Sequence, residues 1–576
     1  MARQTSYTSL ISGFLPALLI FLASCANPVA PSGGPKDTTP PEIIKEIPAN
    51  QSVNFSSDRV ILTFSEFVML KDIATQMVVS PPMAEKPVFT TRGKSLIMKL
   101  EESLRSNTTY NFFFGNSIVD ITEGNPLAGF QFTFSTGPIL DSLTIGGKLI
   151  DAFTNKPVKD AFVMLYDSIY DSIPYKSRPY YIARTGNSGE FNLNNLRDNK
   201  YLMFAITDIN ADYMYNLPNE DIAFADSLIR PHIPVKPIIE TDTTKRDSIT
   251  EKLPNVPVYT LRNFRESDSV QKLLKTSLLS ENVISIVFKY PVKKPVFTTL
   301  KPVLTGDWNI TGYNKTHDTL TLWLPGSVAD SLKMIVADSG YTNDTVELAL
   351  KPREVNFGRN KQKSSTEISP KLGIKHNVVS SRIKPYGLIY LIFSEPMTQY
   401  DFNKITLIAD SILLKPDFEF EDSIKTTLKI SHEWKEGQSY QLILNDSAFA
   451  GVLGHYNDSI AFRFSAFTEA ETSSLKLIIT IPKEGMDYII QLMTSQEKIV
   501  EQKVINSNST INFTYLKPDK YRVKVIYDTN RNGRWDTGNY LKKRQPEYID
   551  YHPKEFELRA NWVMEEDWAI PPIPAE

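Results

Sequence analysis

Oxygen-bearing side chains recur at short intervals in one loop near the end of this 576-residue chain. Aspartate or asparagine occupies the first, third, fifth and ninth positions of the loop that begins at Asp528, and Gly533 occupies the sixth. Calcium takes roughly six to eight oxygen ligands at about 2.3–2.6 Å, and a tight loop with this spacing can supply several of them. We therefore predict a weak calcium site here. Its ligands would be Asp528, Asn530, Asn532, the main-chain carbonyl of Arg534, and Asp536.

A second interpretation of the same loop needs no metal. The stretch resembles the calcium loops of bacterial surface β repeats and the first part of an EF-hand loop. However, Asn539 stands where the EF-hand has its bidentate glutamate. Asp and Asn side chains also bond to nearby backbone groups, which stiffens a loop without any ion. Both interpretations stay open for this loop, whereas the related loop at Asp208 lacks the glycine and favours the metal-free one.

Residues that could carry catalysis are sparse in this sequence. The six histidines are scattered, and no pair has the i, i+4 spacing of a zinc-binding helix. The chain contains no Gly-x-Ser-x-Gly segment, and its single cysteine lies near the N-terminus. Acidic residues are numerous, so a hydrolase with an unrecognised carboxylate pair remains the least favoured alternative. The leading prediction is a non-enzymatic protein without catalytic residues.

The N-terminus has the pattern of a secretory signal. An apolar run of about 13 residues extends from Leu10 to Leu22, which is too short for a bilayer span of roughly 20 but suits a signal peptide. Leu22, Ala23 and Ser24 followed by Cys25 resemble the bacterial lipobox. That resemblance implies cleavage before Cys25 and lipidation of its thiol. The alternative is an ordinary cleaved signal with a chance cysteine, but the absence of any second cysteine favours the lipid.

The residues after Cys25 indicate where the protein resides. Ala26 replaces the acidic residue associated with retention in the inner membrane. Residues 26–41 are rich in proline, glycine and threonine, which predicts a semi-extended tether. The chain thus resembles a bacterial, Bacteroidota-like lipoprotein, which implies lipid anchoring in the outer membrane, on its periplasmic face or at the cell surface.

Composition sets the fold class and excludes one class of partner. Lys and Arg number 63 against 66 Asp and Glu, so the chain lacks the positive charge of a nucleic-acid-binding protein. Aromatic residues make up 11% of the chain and 37 prolines supply many turns, which favours strands over long helices. We predict an all-β chain of several β-sandwich modules.

Two kinds of module can be recognised from repeated strand patterns. Segments 64–66 (Phe-Ser-Glu) and 393–397 (Phe-Ser-Glu-Pro-Met) each follow an alternating apolar strand. They resemble the corresponding strand of SbsA-type bacterial Ig-like domains, which implies an Ig-like sandwich and no catalytic residues. A degenerate third copy has Tyr290 in place of the acidic residue. Each of the two intact copies carries one such acidic residue, Glu66 or Glu395. The best interpretation is that each carboxylate fixes a turn or binds a loop amide.

The second kind of module begins near Leu143. The pattern of residues 145–191 resembles the carboxypeptidase-regulatory-like (transthyretin-like) β sandwich, a module that carries no peptidase chemistry. Its closing segment, 196–208, aligns without gaps to 516–528, which indicates a related hairpin in the C-terminal module. The predicted boundaries are 1–24 signal peptide, 25–40 tether, 41–137 Ig-like, 143–229 carboxypeptidase-regulatory-like, 230–269 Pro/Thr-rich linker, 270–355 degenerate Ig-like, 370–468 Ig-like and 474–576 C-terminal β sandwich.

These observations predict a non-catalytic, membrane-anchored lipoprotein that acts as a structural spacer, scaffold or adhesion module. Its partners would be the membrane, through the N-terminal lipid, and an envelope protein or glycan. No cofactor other than calcium is predicted. The runner-up is a glycan- or peptide-binding lipoprotein that uses exposed aromatic side chains. The tryptophans available for this role are Trp308, Trp323, Trp434, Trp535, Trp562 and Trp568.

Overall fold

Nearly all of the regular secondary structure in the described part of the chain is β-strand, which confirms the all-β prediction. The computed structural model describes residues 36–234, 238–239, 251–252, 258–267, 270–326, 330–338, 344–351 and 371–574. Within these ranges the helical elements are the single turns α1 (Ile73–Gln76) and α2 (Ile173–Lys176) and the 3₁₀ turns Phe402–Lys404 and Glu469–Glu471. No helix in the described ranges combines the length and the apolar character that a membrane crossing requires.

The modules fall into two compact units. The first unit comprises residues 1–150 and 157–263, and the second comprises residues 264–576 together with the short segment 151–156. Two modules belong to the first unit and three belong to the second. Each module encloses its own core of buried apolar side chains.

The first module is a two-sheet sandwich. One sheet has the order β1-β2-β6-β5, the other β4-β7-β9, and β3 pairs with β8. Along β2 the burial alternates, so that Val60, Leu62 and Phe64 face the core, as the alternation in the sequence predicts. The strands are β1 (Ile43–Ile47), β2 (Arg59–Phe64), β3 (Val68–Leu70), β4 (Val78–Ser80), β5 (Val88–Arg92), β6 (Ser95–Lys99), β7 (Thr109–Phe113), β8 (Ile118–Asp120) and β9 (Gln131–Ser135).

The second module pairs the sheet β13-β10-β18 with the sheet β12-β11-β14-β15. Its strands are β10 (Leu143–Asp151), β11 (Phe162–Tyr166), β12 (Tyr181–Arg184), β13 (Glu190–Leu196), β14 (Leu202–Ile206), β15 (Ile222–Phe224) and β18 (Val258–Asn263), with the separate pair β16 (Ile238–Ile239) and β17 (Glu251–Lys252) before β18. The stretch 230–269 is therefore not a continuous linker, because β18 completes this module. We missed that strand because a proline- and threonine-rich insertion separates it from the other strands.

The third and fourth modules repeat the strand order of the first. The third has the sheets β19-β20-β23-β22 and β21-β24-β25. Its strands are β19 (Leu273–Ser280), β20 (Val283–Phe288), β21 (Val296–Lys301), β22 (Ile310–Tyr313), β23 (Thr319–Trp323), β24 (Ser331–Ala337) and β25 (Asp344–Ala349). Among the described residues this copy has no equivalent of the β3–β8 pair, and it is also the copy that lacks the acidic residue.

The fourth module has the sheets β26-β28-β33-β32 and β27-β36-β34-β30-β31, and β29 pairs with β35 as β3 does with β8. Its strands are β26 (Ile374–His376), β27 (Arg382–Ile383), β28 (Ile389–Phe393), β29 (Met397–Tyr400), β30 (Ile405–Ala409), β31 (Ile412–Leu414), β32 (Asp417–Phe420), β33 (Thr427–Ser431), β34 (Ser439–Leu444), β35 (Phe449–Gly451) and β36 (Ile460–Ala466).

The C-terminal module has the topology of the second module. The sheet β40-β37-β44 matches β13-β10-β18, and the sheet β39-β38-β41-β42 matches β12-β11-β14-β15. Its strands are β37 (Ser473–Thr480), β38 (Asp487–Thr494), β39 (Ile499–Ile505), β40 (Ser509–Leu516), β41 (Asp519–Asp528), β42 (Ile549–Tyr551), β43 (Phe556–Leu558) and β44 (Trp562–Ala569). The internal repeat therefore extends from one hairpin to the whole sandwich.

A pair of adjacent glycines tests the close packing of β10 against β13 and β18. A Cβ on Gly147 would lie 2.2 Å from the carbonyl oxygen of Tyr259 in β18 and 2.6 Å from the ring of Phe191 in β13, whereas a Cβ on Gly146 meets nothing closer than 3.8 Å. We expect Gly147→Ala to lower the free energy of unfolding by about 1–3 kcal/mol through overpacking. Gly146→Ala is the matched control and should change it by less than about 0.5 kcal/mol. Denaturant unfolding of the full chain measures both, and equal effects would contradict the close packing of Gly147 against Phe191 and Tyr259.

Candidate functional site

The loop predicted to bind calcium follows β41, which holds its first residue in the interior. Asp528 is fully buried, with 0% of its surface exposed. Its Oδ1 accepts a hydrogen bond from the backbone N–H of Asn532 at 3.1 Å, and its Oδ2 accepts one from Gly533 at 2.7 Å. Gly533 has φ of +77°, a conformation that glycine adopts without strain. The loop thus wraps around a carboxylate fixed by the preceding strand.

The other predicted ligands lie close together and bond to one another. Asn530 and Asn532 both donate from their side-chain amides to Oδ2 of Asp536, the second at 2.6 Å. The side-chain oxygens of Asn530 and Asn532 accept backbone N–H groups at 3.1 and 3.0 Å. The side chain of Arg534 lies beside the loop, with its Nε 3.7 Å from Asp536 Oδ1. Each predicted side-chain ligand therefore already has a partner within the loop.

A glutamate that we did not single out from the sequence closes this loop. Glu547 is 7% exposed, and its Oε1 accepts the backbone N–H of Thr529 at 2.8 Å and the Thr529 hydroxyl at 3.0 Å. Its Oε2 accepts the backbone N–H of Asp536 at 3.0 Å. Burial raises the pKa of Glu547, while these hydrogen bonds oppose that rise. The carboxylate joins the two ends of the loop.

The equivalent loop of the second module is built in the same way. Asp208 accepts the backbone N–H groups of Ala211 and Tyr213, each at 2.8 Å. Glu220, which is fully buried, accepts those of Ile209 at 3.3 Å and Asn216 at 3.0 Å. Ile209 and Asn216 correspond to Thr529 and Asp536, whose backbone N–H groups Glu547 accepts in the other loop. Burial raises the pKa of Asp208. The internal repeat therefore includes a buried glutamate that recurs in both modules.

The side chains of four of the five predicted calcium ligands lie close together in the loop at Asp528. Only two of these four side chains are carboxylates. Asn539, at the twelfth position, accepts the backbone N–H of Lys542 at 2.9 Å instead of joining the loop. Across the described part of the chain, no three or more His, Cys, Asp or Glu side chains are arranged to hold a metal ion. The donor set is amide-rich and already hydrogen-bonded, so calcium would have to displace contacts within the loop.

The two glutamates of the Phe-Ser-Glu segments differ in environment. Glu395 is 1% exposed and accepts the backbone N–H of Leu453 at 2.6 Å, with Nδ1 of His455 2.7 Å from its other oxygen. It therefore fixes a loop, as we expected. Glu66 is only partly buried, and burial together with the nearby carboxylates of Asp120 and Asp37 raises its pKa.

Most of the tryptophans cannot serve as exposed platforms. Trp323, Trp434 and Trp568 are between 1% and 6% exposed, and Trp308 and Trp535 pack partly buried against core clusters. Among the tryptophans of the described residues, only Trp562 is largely exposed, at 47%. The acidic C-terminal segment between Trp562 and Trp568 is the strand β44, and its second tryptophan packs into the core.

The first unit contains a groove of about 910 Å³ between the outer faces of its two sandwiches. This volume lies within the range of roughly 300–1,000 Å³ that is usual for ligand-binding clefts. Polar side chains contribute much of its lining: Gln76, Ser80, Asn111, Asn116, Gln131, Thr144, Asp160, Arg184, Thr185, Glu190, Asn192, Asn194 and His232. We did not anticipate this site, because its residues come from strands far apart in the sequence.

The predicted lipidation residue Cys25 and the cleavage residues Leu22, Ala23 and Ser24 lie outside the described residues, as does most of the tether. The prediction of a lipid anchor therefore stays a prediction.

Comparison with known families bears on the first module. Residues 37–136 match the bacterial Ig-like domain. The chain is thus a multidomain β-sandwich protein that contains a bacterial Ig-like domain, in agreement with the resemblance of its Phe-Ser-Glu segment. None of the curated proteins matches the chain.

Solved structures of other proteins show only distant similarity to this chain. The S-layer protein rSbsC is 11% identical, with 90% of this chain and 67% of that chain covered and a TM-score of 0.14. The major pilin subunit BcpA of Bacillus cereus is 10% identical, with 74% and 99% covered and a TM-score of 0.13. The Bacillus anthracis TIE protein is 9% identical, with 94% and 76% covered and a TM-score of 0.13. Such low scores support no inference about the function of this chain.

Replacement of Glu547 tests its role in closing the loop. In Glu547→Gln an amide NH₂ would face one of the backbone donors that the carboxylate now accepts. We expect the free energy of unfolding to fall by about 1–3 kcal/mol, the cost of a buried polar group left unsatisfied. Glu555→Gln, on an exposed side chain of the same module, is the matched control. Denaturant unfolding of the full chain compares them, and indistinguishable midpoints would show that Glu547 does not hold the loop.

Calcium binding at Asp528 can be measured directly by calorimetry on the full chain. We expect weak binding, with a Kd of about 10⁻⁴–10⁻³ M, because the loop has few carboxylates and no glutamate at its twelfth position. Asp536→Asn should abolish the heat, and Asp212→Asn in the equivalent loop should leave it unchanged. The absence of heat at about 10 mM calcium would establish the metal-free interpretation.

Proposed function

We propose that the chain is a non-catalytic lipoprotein of the bacterial envelope that serves as a structural spacer, scaffold or adhesion module. The observation that carries this proposal is the arrangement of the chain: a lipobox-like N-terminus and a tether precede five β sandwiches, each with its own core. A protein of this kind offers reach and surface, and it needs no reactive centre. The proposed location is the outer membrane, with Cys25 as the attachment point.

The way this chain uses its buried acids supports a non-catalytic role. The buried aspartates and glutamates of the described residues are between 0% and 7% exposed, and each accepts at least one backbone N–H. They are Asp120, Glu220, Asp338, Glu395, Asp528 and Glu547. A general acid or base must reach a substrate proton, and a carboxylate that is enclosed and hydrogen-bonded to the loop backbone cannot do so. This argues against the hydrolase alternative.

The runner-up function, binding of a glycan or peptide, is favoured by a specific observation. The groove of the first unit is large enough for a ligand and is lined by polar side chains. The two functions are compatible, because an adhesion module can be both anchored and ligand-binding.

Replacement of Cys25 tests the anchor. Because Cys25 is the only cysteine, Cys25→Ser removes every thiol that could be acylated. We expect the variant to lose labelling by radioactive palmitate and to move from the membrane fraction to the soluble fraction, since each buried CH₂ of an acyl chain contributes about 0.8 kcal/mol. Ser24→Ala keeps a small residue before the cysteine and should remain anchored. Membrane retention of Cys25→Ser would overturn the proposal.

A further inference from the structure

One wall of the groove is the outer face of the sheet β4-β7-β9. Along β7 the aromatic side chains of Tyr110 and Phe112 point into the core, so the alternate residues Asn111 and Phe113 point outward. Gln131 on the paired strand β9 joins them. Phe113 is 38% exposed, which leaves its ring available at the wall. The side-chain amides of Asn111 and Gln131 lie 3.4 and 3.3 Å from Oδ1 of Asn195 in the second module, so this wall leaves to a ligand the amide oxygens and one accessible aromatic ring.

The opposite wall is the outer face of β13 and β10. Phe191 and Leu193 are buried in the core of the second module, so Asn192 and Asn194 face outward. The hydroxyl of Thr144 lies 2.7 Å from Oδ1 of Asn192, 3.0 Å from Oδ1 of Asn194 and 3.0 Å from the carbonyl oxygen of Leu193. Its single hydrogen is donated to one of these three acceptors at a time. The hydrogen bonds of the described residues give neither side chain another partner, so both retain capacity for a ligand.

The two walls are fixed to one another at several points. The hydroxyl of Ser80 accepts the backbone N–H of Ile182 at 3.1 Å. The side chain of Asn195 lies 3.3 Å from the amide of Gln131 and donates to the carbonyl of Asp141 at 3.0 Å. Arg184 donates to the carbonyl of Thr75. The groove is therefore formed before any ligand arrives, which reduces the ordering cost of binding.

The charge of the lining is close to neutral. Arg184 lies 3.2 Å from Asp160, and Glu190 adds one negative charge at the surface. Nothing in the lining would attract a polyanion. His232 contributes a ring nitrogen, Nε2, that is enclosed and has no hydrogen-bond partner among the described residues. The groove thus combines a lining that is close to neutral with polar groups that can still form hydrogen bonds.

From these features we propose that the groove binds a neutral oligosaccharide. Carboxamides both donate and accept hydrogen bonds, as do the hydroxyl groups of a sugar, and an exposed aromatic ring can pack on the apolar face of a pyranose. A bound peptide would instead need a free strand edge and apolar pockets for its side chains. The edge of β12 is capped at Ile182 by Ser80, and the large exposed apolar side chains among the lining residues described are Phe113 and Val258. The sugar is therefore the better match.

A steric variant tests the site. Gly146 lines the groove, and a Cβ there would meet only ordinary contacts, at 3.8 Å from Phe191 O and 3.9 Å from Asn192 Oδ1. Gly146→Tyr should therefore fill the groove without displacing the backbone. Lys148→Tyr is the matched control, because Lys148 is exposed on the same strand and does not line the groove. A second pair of variants removes an exposed ring. Phe113→Ala removes the ring inside the groove, and Phe67→Ala, outside it, is the control.

The measurement uses the full chain with Cys25→Ser and an array of neutral hexasaccharides of glucose, mannose, xylose and N-acetylglucosamine. We expect at least one to bind with a Kd of about 10⁻⁵–10⁻³ M. Gly146→Tyr, Phe113→Ala and Asn192→Ala should each weaken binding at least about 10-fold, a loss of about 1.4 kcal/mol, while the controls change it less than about 2-fold. Thermal unfolding confirms that each variant is folded.

Three results would overturn the inference. The first is that no hexasaccharide binds at about 10 mM. The second is that binding is equally strong in Gly146→Tyr and in Lys148→Tyr. The third is that uncharged nonapeptides bind in place of the sugars and are blocked by Gly146→Tyr, which would assign the groove to peptides. None of these results depends on lipidation of Cys25, so the proposed anchor can fail or succeed separately.

Discussion

The long loops of this protein depend on buried carboxylates that replace missing strand partners. A backbone N–H buried without a partner costs about 1–3 kcal/mol, and loops between sandwich strands leave several such groups. Asp120 alone accepts three, from Glu123, Gly124 and Asn125 at 2.6–2.9 Å. Glu220 and Glu547 perform the same task in the two related modules. Charged acceptors form stronger hydrogen bonds than neutral ones, so one side chain can organise a whole loop.

Because the buried acids among the described residues accept hydrogen bonds from loop backbone, none of them is placed to react with a substrate. Glu395 is held at 1% exposure by Leu453 and His455 and packs against Gly451, where an added Cβ would lie 2.2 Å from its carboxyl carbon. The Phe-Ser-Glu segment is therefore a structural signature in the fourth module. Its counterpart Glu66 is more open, so sequence identity between the copies does not guarantee an identical environment.

Strands could be predicted from the sequence wherever apolar residues alternate, as along β2 and β28, and the repeated Phe-Ser-Glu segments gave the Ig-like type of the first module. The loop at Asp528 was predictable because its polar side chains are adjacent in sequence. Glu547 was not, since no fixed spacing links it to the loop it closes. The last strand of the second module was missed because 33 residues separate Phe224 from Val258. The groove depends on contacts such as Gln131 with Asn195, which no local pattern reveals.

The parallel pairing of β37 with β44 has a mechanical consequence. The first and last strands of the C-terminal module lie side by side over eight residue pairs, from Ser473–Trp562 to Thr480–Ala569. Because they are parallel, the entry end of β37 and the exit end of β44 lie at opposite ends of the ladder. Tension between these two ends loads all the hydrogen bonds in shear at once, instead of opening them one after another. The module is thereby suited to resist force transmitted along the chain.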